Sequence, residues 1–377
     1  MSTFDPNSVN LTNALSDGSL QAQIQCFLTE SGNQYGGKLG ERIGALFVIL
    51  VVSTAVTFFP VLAKRVPRMR IPLYVYLFAR YFGSGVILAT SYVHLLDPAY
   101  SEIGPASCVG LTGGWASYSW PPAIALASGL LTFLLDFVAA YIVEMRYGQA
   151  SEPNVEAIIT TGNGVPGAQL LSSGPAEAAA TDNGLAEKGN EARRNDVIGF
   201  KDVDDESSVS SEFGFRKDIA AFLILEFGVL FHSVFIGLNL GVADNDDFDT
   251  LFPVLVFHQS FEGLGIGARL SAINIPKRLG WLPWILCLAY GLTTPIAIAI
   301  GLGVRNTYDN SSFTANVVNG LFDSISAGIL MYTGFVEMIA RDFLFDPART
   351  NDRKRLSFMV ICLFLGAGIM ALVGKWA

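Results

Sequence analysis

Residues 281–304 read WLPWILCLAYGLTTPIAIAIGLGV, a run in which no side chain carries a charge. A helix that crosses about 30 Å of hydrocarbon needs roughly 20 predominantly apolar residues, so this run is long enough to span a membrane. Two more uncharged runs of similar length are Ile43–Ala63 and Leu356–Gly374. These three runs predict transmembrane helices.

Five further stretches are apolar enough to cross a membrane but contain a few polar side chains. A β-barrel would instead show short segments of alternating polarity. The sequence therefore predicts an all-α integral membrane protein with eight transmembrane helices. The five additional spans are Ile71–Leu96, Pro121–Val143, Ile219–Ala243, Leu251–Ile273 and Thr314–Ile339.

The composition argues against two large classes of protein. Of the 377 residues, 51% are hydrophobic and 15% are charged. Soluble domains usually have about 25% charged residues, so an ordinary soluble enzyme is not expected. The net charge of -9 also argues against a nucleic-acid partner, because nucleic-acid binders show a basic patch or stripe. The lipid bilayer is the predicted surrounding instead.

Lys and Arg residues concentrate on one side of the predicted spans. Basic loops stay in the cytoplasm, so the clusters at 64–70 and 353–355 predict that both termini lie outside. This orientation divides the chain into an extracellular arm at 1–42, spans one to three at 43–147, a cytoplasmic loop at 148–217 and spans four to eight at 218–377.

Two features of the predicted outer face agree with this orientation. Asn10 and Asn310 each begin an Asn-x-Ser/Thr glycosylation acceptor. Cys26 and Cys108 also lie outside, in a compartment that permits disulfides. We hypothesise a Cys26–Cys108 disulfide, with two free thiols as the alternative, since spacing alone fixes no connectivity.

The loop at 148–217 is predicted to be disordered. It has 12 acidic and 6 basic residues and neither Trp nor Tyr, so it has little apolar surface to bury. Lys188 and Lys201 are candidate ubiquitin acceptors, and the acidic cluster at 202–208 is a candidate kinase site. An unmodified solvated linker is the alternative, and on sequence alone it is favoured.

Ionisable residues inside predicted spans are costly to bury, so each is a candidate functional residue. His258 and Glu262 are four apart in the fifth span and share one helix face. His232 lies near the middle of the fourth span, which a short turn joins to the fifth. Imidazole and carboxylate ligands suit Zn²⁺. An ion-pair or proton-relay role is the alternative. The other ionisable residues in the spans are Arg80, His94, Asp136, Glu144, Glu226, Asp323 and Glu337.

An acidic turn joins these two spans at their predicted outer ends. Clustered carboxylates raise the local concentration of cations and steer them toward a site. A solvated polar turn is the alternative, and the position above His232 and His258 favours a role in attracting metal. The acidic residues are Asp244, Asp246, Asp247 and Asp249.

Two helices carry a resemblance to the ZIP (Zrt-/Irt-like) family of divalent-metal transporters. The runs HSVFIGLNLG at 232–241 and HQSFEGLGIG at 258–267 resemble its signature helices. Supporting matches are VHLLD at 93–97, LTTP at 292–295, SAGIL at 326–330 and MALVGKWA at 370–377. The resemblance is closest to the fungal plasma-membrane zinc-uptake branch.

The resemblance implies the ligand set and the way in which the helices move. It implies a ZIP-like homodimer in which spans one, four, five and six move against the other four. Some relatives have a carboxylate after the fifth-span His, so Gln259 does not favour a strong second metal site. The implied ligands are His94, His232, His258 and Glu262, with Ser233, Gln259 and Asn239 nearby.

The sequence thus predicts a zinc-uptake transporter that is not an enzyme and needs no cofactor beyond the transported Zn²⁺. The path runs from the acidic turn through the histidines and inward past Glu226 or Glu337. A broader transporter of Fe²⁺, Mn²⁺ or Cd²⁺ is one alternative, because His and carboxylate ligands bind all of these ions. An intramembrane zinc hydrolase, a bis-His haem carrier and a metal-sensing receptor are the others.

Overall fold

The computed structural model describes residues 18–29, 35–66, 71–147, 202–309, 311–345 and 350–376. Within these ranges the chain is helical and contains no strand, which confirms the predicted all-α class. The helices are α1 Gly18–Thr29, α2 Leu39–Arg65, α3 Leu73–Thr90, a first π-helix Ser91–Leu96, α4 Asp97–Ile103, α5 Trp120–Tyr147, α6 Asp202–Val242, α7 Asn245–Ala272, α8 Leu282–Val304, α9 Phe313–Tyr332, a second π-helix Thr333–Phe345 and α10 Arg353–Val373. Short 3-10 turns lie at Val109–Leu111, Gly113–Ser117, Lys277–Leu279 and Gly374–Trp376.

Six of the described helical segments are long and apolar enough to cross a membrane. The two other predicted spans, α7 and α9 with the second π-helix, do not reach that hydropathy. Their polar side chains explain why, since α7 carries the buried His258, Gln259 and Glu262. The count of eight spans therefore stays a prediction. The six segments are Leu39–Arg65, Leu73–Ile103, Trp120–Val143, Gly214–Val242, Lys277–Val304 and Arg353–Val373.

Two helices extend beyond the spans that the sequence predicts. The second predicted span ends at Leu96, whereas the helix continues through the first π-helix and α4 to Ile103. The helix that contains the fourth predicted span begins at Asp202, so the end of the loop predicted to be disordered is helical. Lys188 and Lys201, the candidate ubiquitin acceptors, lie outside the described residues.

Glycines let the helices around α7 pack with backbone in contact. A Cβ atom on Gly265 of α7 would lie 2.8 Å from the Cα of Gly83 on α3. A Cβ atom on Gly241 of α6 would lie 2.9 Å from the Cα of Gly301 on α8. Small residues permit this approach in lipid, where association depends on close van der Waals packing. The glycine pairs thus hold the signature helices α6 and α7 against their neighbours.

Arg42, counted in the sequence as one of the few basic residues of the outer face, is fully buried at the start of α2. Its guanidinium donates hydrogen bonds to the carbonyls of Leu240 and Ala243 at 2.9 and 2.7 Å. The last carbonyls of a helix have no partner within the helix and carry partial negative charge, so a cation stabilises them. Arg42 therefore caps α6 and fixes the turn between α6 and α7.

Contacts divide the chain into two units, residues 1–140 with 215–377, and residues 141–214. All of the candidate site residues with described coordinates lie in the first unit. A buried apolar cluster of that unit lies beside the candidate site and includes Ile87, Leu225, Val229, Ile266 and Tyr290. The cluster draws on α3, α6, α7 and α8, which are helices that also surround the histidines.

Candidate metal-binding site

Consecutive turns of α7 place His258 and Glu262 side by side. Residues four apart stack on one face of an α-helix, and Nε2 of His258 lies 3.2 Å from Oε1 of Glu262. Both side chains are buried, at 2% and 0% exposure. Apart from each other, these two atoms have no hydrogen-bond partner in the described part of the chain. The imidazole and the carboxylate are therefore both open to a cation.

The first π-helix brings His94 to the same point. The ring centroid of His94 lies 4.9 Å from that of His258. A π-turn contains more residues than an α-turn, and such turns are frequent at functional sites. A Cβ atom on Gly374 would lie 3.3 Å from Nε2 of His94. Glycine after α10 therefore leaves room for the imidazole.

His232 of α6 completes the cluster of histidines. Its ring centroid lies 5.8 Å from that of His258, and its side chain is 1% exposed. On its other side, Nδ1 lies 3.7 Å from Oδ1 of Asp323 on α9. Since the chain has three histidines, the fold gathers every one of them at this site.

The three uncharged residues predicted near the metal take different positions. Ser233 and Gln259 are buried beside His232 and His258, and their side-chain polar atoms have no hydrogen-bond partner among the described residues. Asn239 lies two turns farther along α6, in the wall of the cavity that the histidines share. The Tyr290 hydroxyl donates a 2.8 Å hydrogen bond to the carbonyl of Gln259, which fixes the backbone of α7 at the site.

This cavity has a volume of about 160 Å³, and His94, His232 and His258 line it. In the described part of the chain, no three His, Cys, Asp or Glu side chains already stand in the arrangement of a metal cage. Leaving buried polar groups without partners costs free energy, which binding a cation would recover. We therefore expect the three histidine side chains to move closer to one another when an ion binds.

The acidic turn is shorter in the structure than in the sequence interpretation. Helix α7 begins at Asn245, so Asp246, Asp247 and Asp249 lie in its first turns. The side chain of Asp244 caps the helix by accepting a 2.7 Å hydrogen bond from the amide of Asp247. Partial burial, together with the charges of Asp244 and Asp246, raises the pKa of Asp247.

One of these carboxylates is already neutralised by a neighbour. Nζ of Lys38 lies 2.6 Å from Oδ2 of Asp249. The hydrogen bond to Asp249 raises the pKa of Lys38. The negative charge at this end of the bundle is therefore smaller than a count of acidic residues suggests.

Two carboxylates that the sequence left without a role also reach the cavity. Asp323 is one of the ionisable residues of the predicted spans, whereas no pattern in the sequence singles out Glu102. Both line the cavity with the histidines. The position of Asp323 within an apolar helix was a signal, but its pairing with His232 depends on how α6 and α9 pack.

The structure joins Cys26 of α1 to Cys108 in a disulfide, with their Cα atoms 4.6 Å apart. Cys287 and Cys362 are buried free thiols, as expected for cysteines within spans. The bond attaches the N-terminal arm to the loop after α4. Both predicted glycosylation acceptors, Asn10 and Asn310, lie outside the described residues.

The helices that carry the histidines fall within a recognised protein family. The family model described as "ZIP Zinc transporter" matches residues 39–374, which includes every candidate ligand. The chain belongs to the ZIP zinc transporter family. This membership confirms the resemblance seen in the two signature helices.

Curated ZIP relatives match nearly the whole chain. Zinc-regulated transporter 1 of Saccharomyces cerevisiae is 52% identical over 99% of this chain and 97% of its own length. Zinc-regulated transporter 1 of Schizosaccharomyces pombe is 38% identical over 92% of this chain and 87% of its own length. Zinc transporter 9 of Oryza sativa is 29% identical over 94% of each chain. These relatives place the chain among transporters and not among enzymes, as predicted.

Proposed function

We propose that this ZIP protein carries Zn²⁺ from the outside of the cell into the cytoplasm through the site at His94, His232, His258 and Glu262. One observation carries the proposal: the three histidines of the chain converge on a buried carboxylate, with His258 and Glu262 in reach of one ion. Ser233, Gln259 and Asn239 supply uncharged ligands nearby. The names of the relatives support zinc as the cargo.

A second cavity supports an exit toward the cytoplasm. It has a volume of about 600 Å³. Two of the basic side chains in its wall are paired, since Arg80 lies 2.8 Å from Asp342 and Arg341 lies 3.0 Å from Glu337. Pairing removes much of the positive charge that would repel a cation. Asp342 thus neutralises Arg80, one of the ionisable residues of the predicted spans.

Glu226 lies between the histidines and this second cavity. It sits on α6 next to Leu225, a residue of the cavity wall, and six residues before His232. Its side chain is buried, and neither carboxylate oxygen has a hydrogen-bond partner among the described residues. A carboxylate in this position is suited to receive the ion as it leaves the histidines, and Glu337 follows it in the wall.

Selectivity, location and assembly complete the proposal. Imidazole and carboxylate ligands also bind Fe²⁺, Mn²⁺ and Cd²⁺, so uptake of labelled zinc in competition with each ion tests the narrower zinc assignment. The basic loops support an orientation with both termini outside and the acidic residues at 244–249 at the mouth. The fungal zinc-regulated transporters among the relatives support a location in the plasma membrane. A homodimer, and ubiquitin and kinase machinery acting on the loop at 148–217, belong to the same proposal.

The function is tested by zinc flux into liposomes that contain the purified protein. We expect Glu262→Gln to lower the affinity of the transport site for zinc by about tenfold to hundredfold, because a charged ligand contributes about 1.5–3 kcal/mol. Glu41→Gln, at an exposed carboxylate near the start of α2, is the matched control and should transport normally. Equal flux through wild type, Glu262→Gln and Glu41→Gln would contradict the site.

A further inference from the structure

Two carboxylates lie in the wall of the cavity that the histidines share. Glu102 of α4 and Asp323 of α9 line the 160 Å³ cavity together with His94, His232 and His258. Among the described residues of its wall there is no Lys or Arg. The side chain of Asp323 is 13% exposed, so its charge is largely withdrawn from water.

The close approach of α4 and α9 holds Glu102 in this position. A Cβ atom on Gly320 would lie 2.7 Å from Cγ2 of Ile103 and 3.2 Å from Cβ of Glu102, so glycine permits this close contact. The side-chain amide of the neighbouring Asn319 hydrogen-bonds Glu102. Oε2 of Glu102 is nevertheless buried without a hydrogen-bond partner in the described part of the chain. One carboxylate oxygen therefore remains available to a ligand.

His232 links the two carboxylates to the transport site. Nδ1 of His232 lies 3.7 Å from Oδ1 of Asp323, while the His232 ring is 5.8 Å from that of His258. The side chain is 1% exposed, lines the cavity, and neither nitrogen has a hydrogen-bond partner among the described residues. Apart from the contact with Asp323, this buried imidazole has no partner among the described residues, and its free Nε2 points to a ligand at this position.

Buried carboxylates are stabilised by a cation or by direct pairing. We propose that Glu102 and Asp323, with His232 and Asn319, form an outer capture site for a divalent cation. Carboxylate and amide oxygens with one imidazole suit a partly hydrated Zn²⁺, Mn²⁺ or Fe²⁺. The ion would then pass to His258 and Glu262 by way of His232, which both sites share. This assignment rests on the proposed transport function.

Zinc binding is measured on the purified protein in detergent after the transport site is disabled by His258→Ala and Glu262→Gln. We expect one Zn²⁺ to bind this background, and Asp323→Asn to weaken its binding at least tenfold. Asn319→Asp adds a third carboxylate and should tighten zinc binding. This variant tests the site through a gain of affinity, which misfolding would not produce. Glu41→Gln in the same background is the control and should bind as the background does.

The same substitutions are then made singly and zinc flux is measured in liposomes. Asp323→Asn and Glu102→Gln should raise KM about fivefold to tenfold while the maximal rate stays within twofold. Glu262→Gln differs from both because it weakens zinc binding at the transport site. Unaltered KM, or no zinc binding to the background, would overturn the capture site. Absence of zinc flux through the wild type would overturn the transport function instead, and the binding measurement would still decide the capture site.

Discussion

Lys38 and Asp249 show how single residues set the charge at the entrance of the bundle. Their side chains are 29% and 55% exposed, and exposed ion pairs contribute little to folding stability. The pair instead cancels one of the negative charges near α7. Because long-range steering of a cation depends on this charge and on salt, the pair is expected to affect capture of the ion more than stability.

We predict that Lys38→Asn lowers the apparent KM for zinc by about twofold at low ionic strength, since Asp249 is then uncompensated and attracts cations more strongly. Asn is the suitable replacement because Lys38 has a φ of 50°, a region that Asn tolerates. Initial uptake rates in liposomes measure the effect. Lys277→Asn, in the loop between α7 and α8, should leave KM unchanged. A shift that persists in high salt would contradict the electrostatic explanation.

At the scale of residues, the sequence predicts contacts within a helix more readily than contacts between helices. His258 and Glu262 lie four apart, so helical geometry alone places them together. The role of Asp323 was missed because its partner His232 is far away in the sequence and is reached only when α6 and α9 pack. The same holds for Arg42, which looked like a surface cation and instead caps α6.

At the scale of elements, two π-helices interrupt the spans that carry His94 and Glu337. The length of the apolar runs predicted these spans but gave no sign of the wider turns. A π-turn is stabilised by the packing around it, because locally it is less favourable than an α-turn. The rotation that it gives His94 could therefore not be predicted from the pattern of apolar residues.

The packing of α3 on α7 leads to a prediction about stability. Gly265→Val should destabilise the protein by about 1–3 kcal/mol or more, because the new side chain meets the backbone of Gly83 and the helices must separate. Thermal unfolding of the detergent-solubilised protein, followed by size-exclusion chromatography, measures the loss. Gly368→Val is the matched control, since its Cβ atom has no neighbour within 4 Å. Equal melting temperatures of the two variants would show that the contact is not tight.

At the scale of the whole molecule, the Cys26–Cys108 disulfide connects residues 82 positions apart. Closing so long a loop removes conformational freedom from the unfolded chain, an effect of about 2–4 kcal/mol in the chain-entropy account. The bond also requires that the arm and the loop after α4 share an oxidising compartment. It therefore agrees with the orientation predicted from the basic loops.

We predict two reactive thiols in the denatured, unreduced protein and four after reduction, because Cys287 and Cys362 are free and the other two are paired. Thiol titration of the purified protein in denaturant measures both numbers. Cys26→Ser should leave three thiols, with or without reductant, and should lower the melting temperature. Four thiols before reduction would show that the bond does not form.

The sequence by itself determined the all-α membrane class, the family and the residue types proposed to bind metal, because hydropathy, helical spacing and motifs are local properties of the chain. Tertiary structure alone decided that His94 and His232 meet His258, that Asp323 faces His232, and that Arg42 and Lys38 neutralise groups at the entrance. These contacts join residues far apart in sequence and depend on helix rotation and close approach at glycines. A metal site needs several ligands around one point, and only packing brings them there.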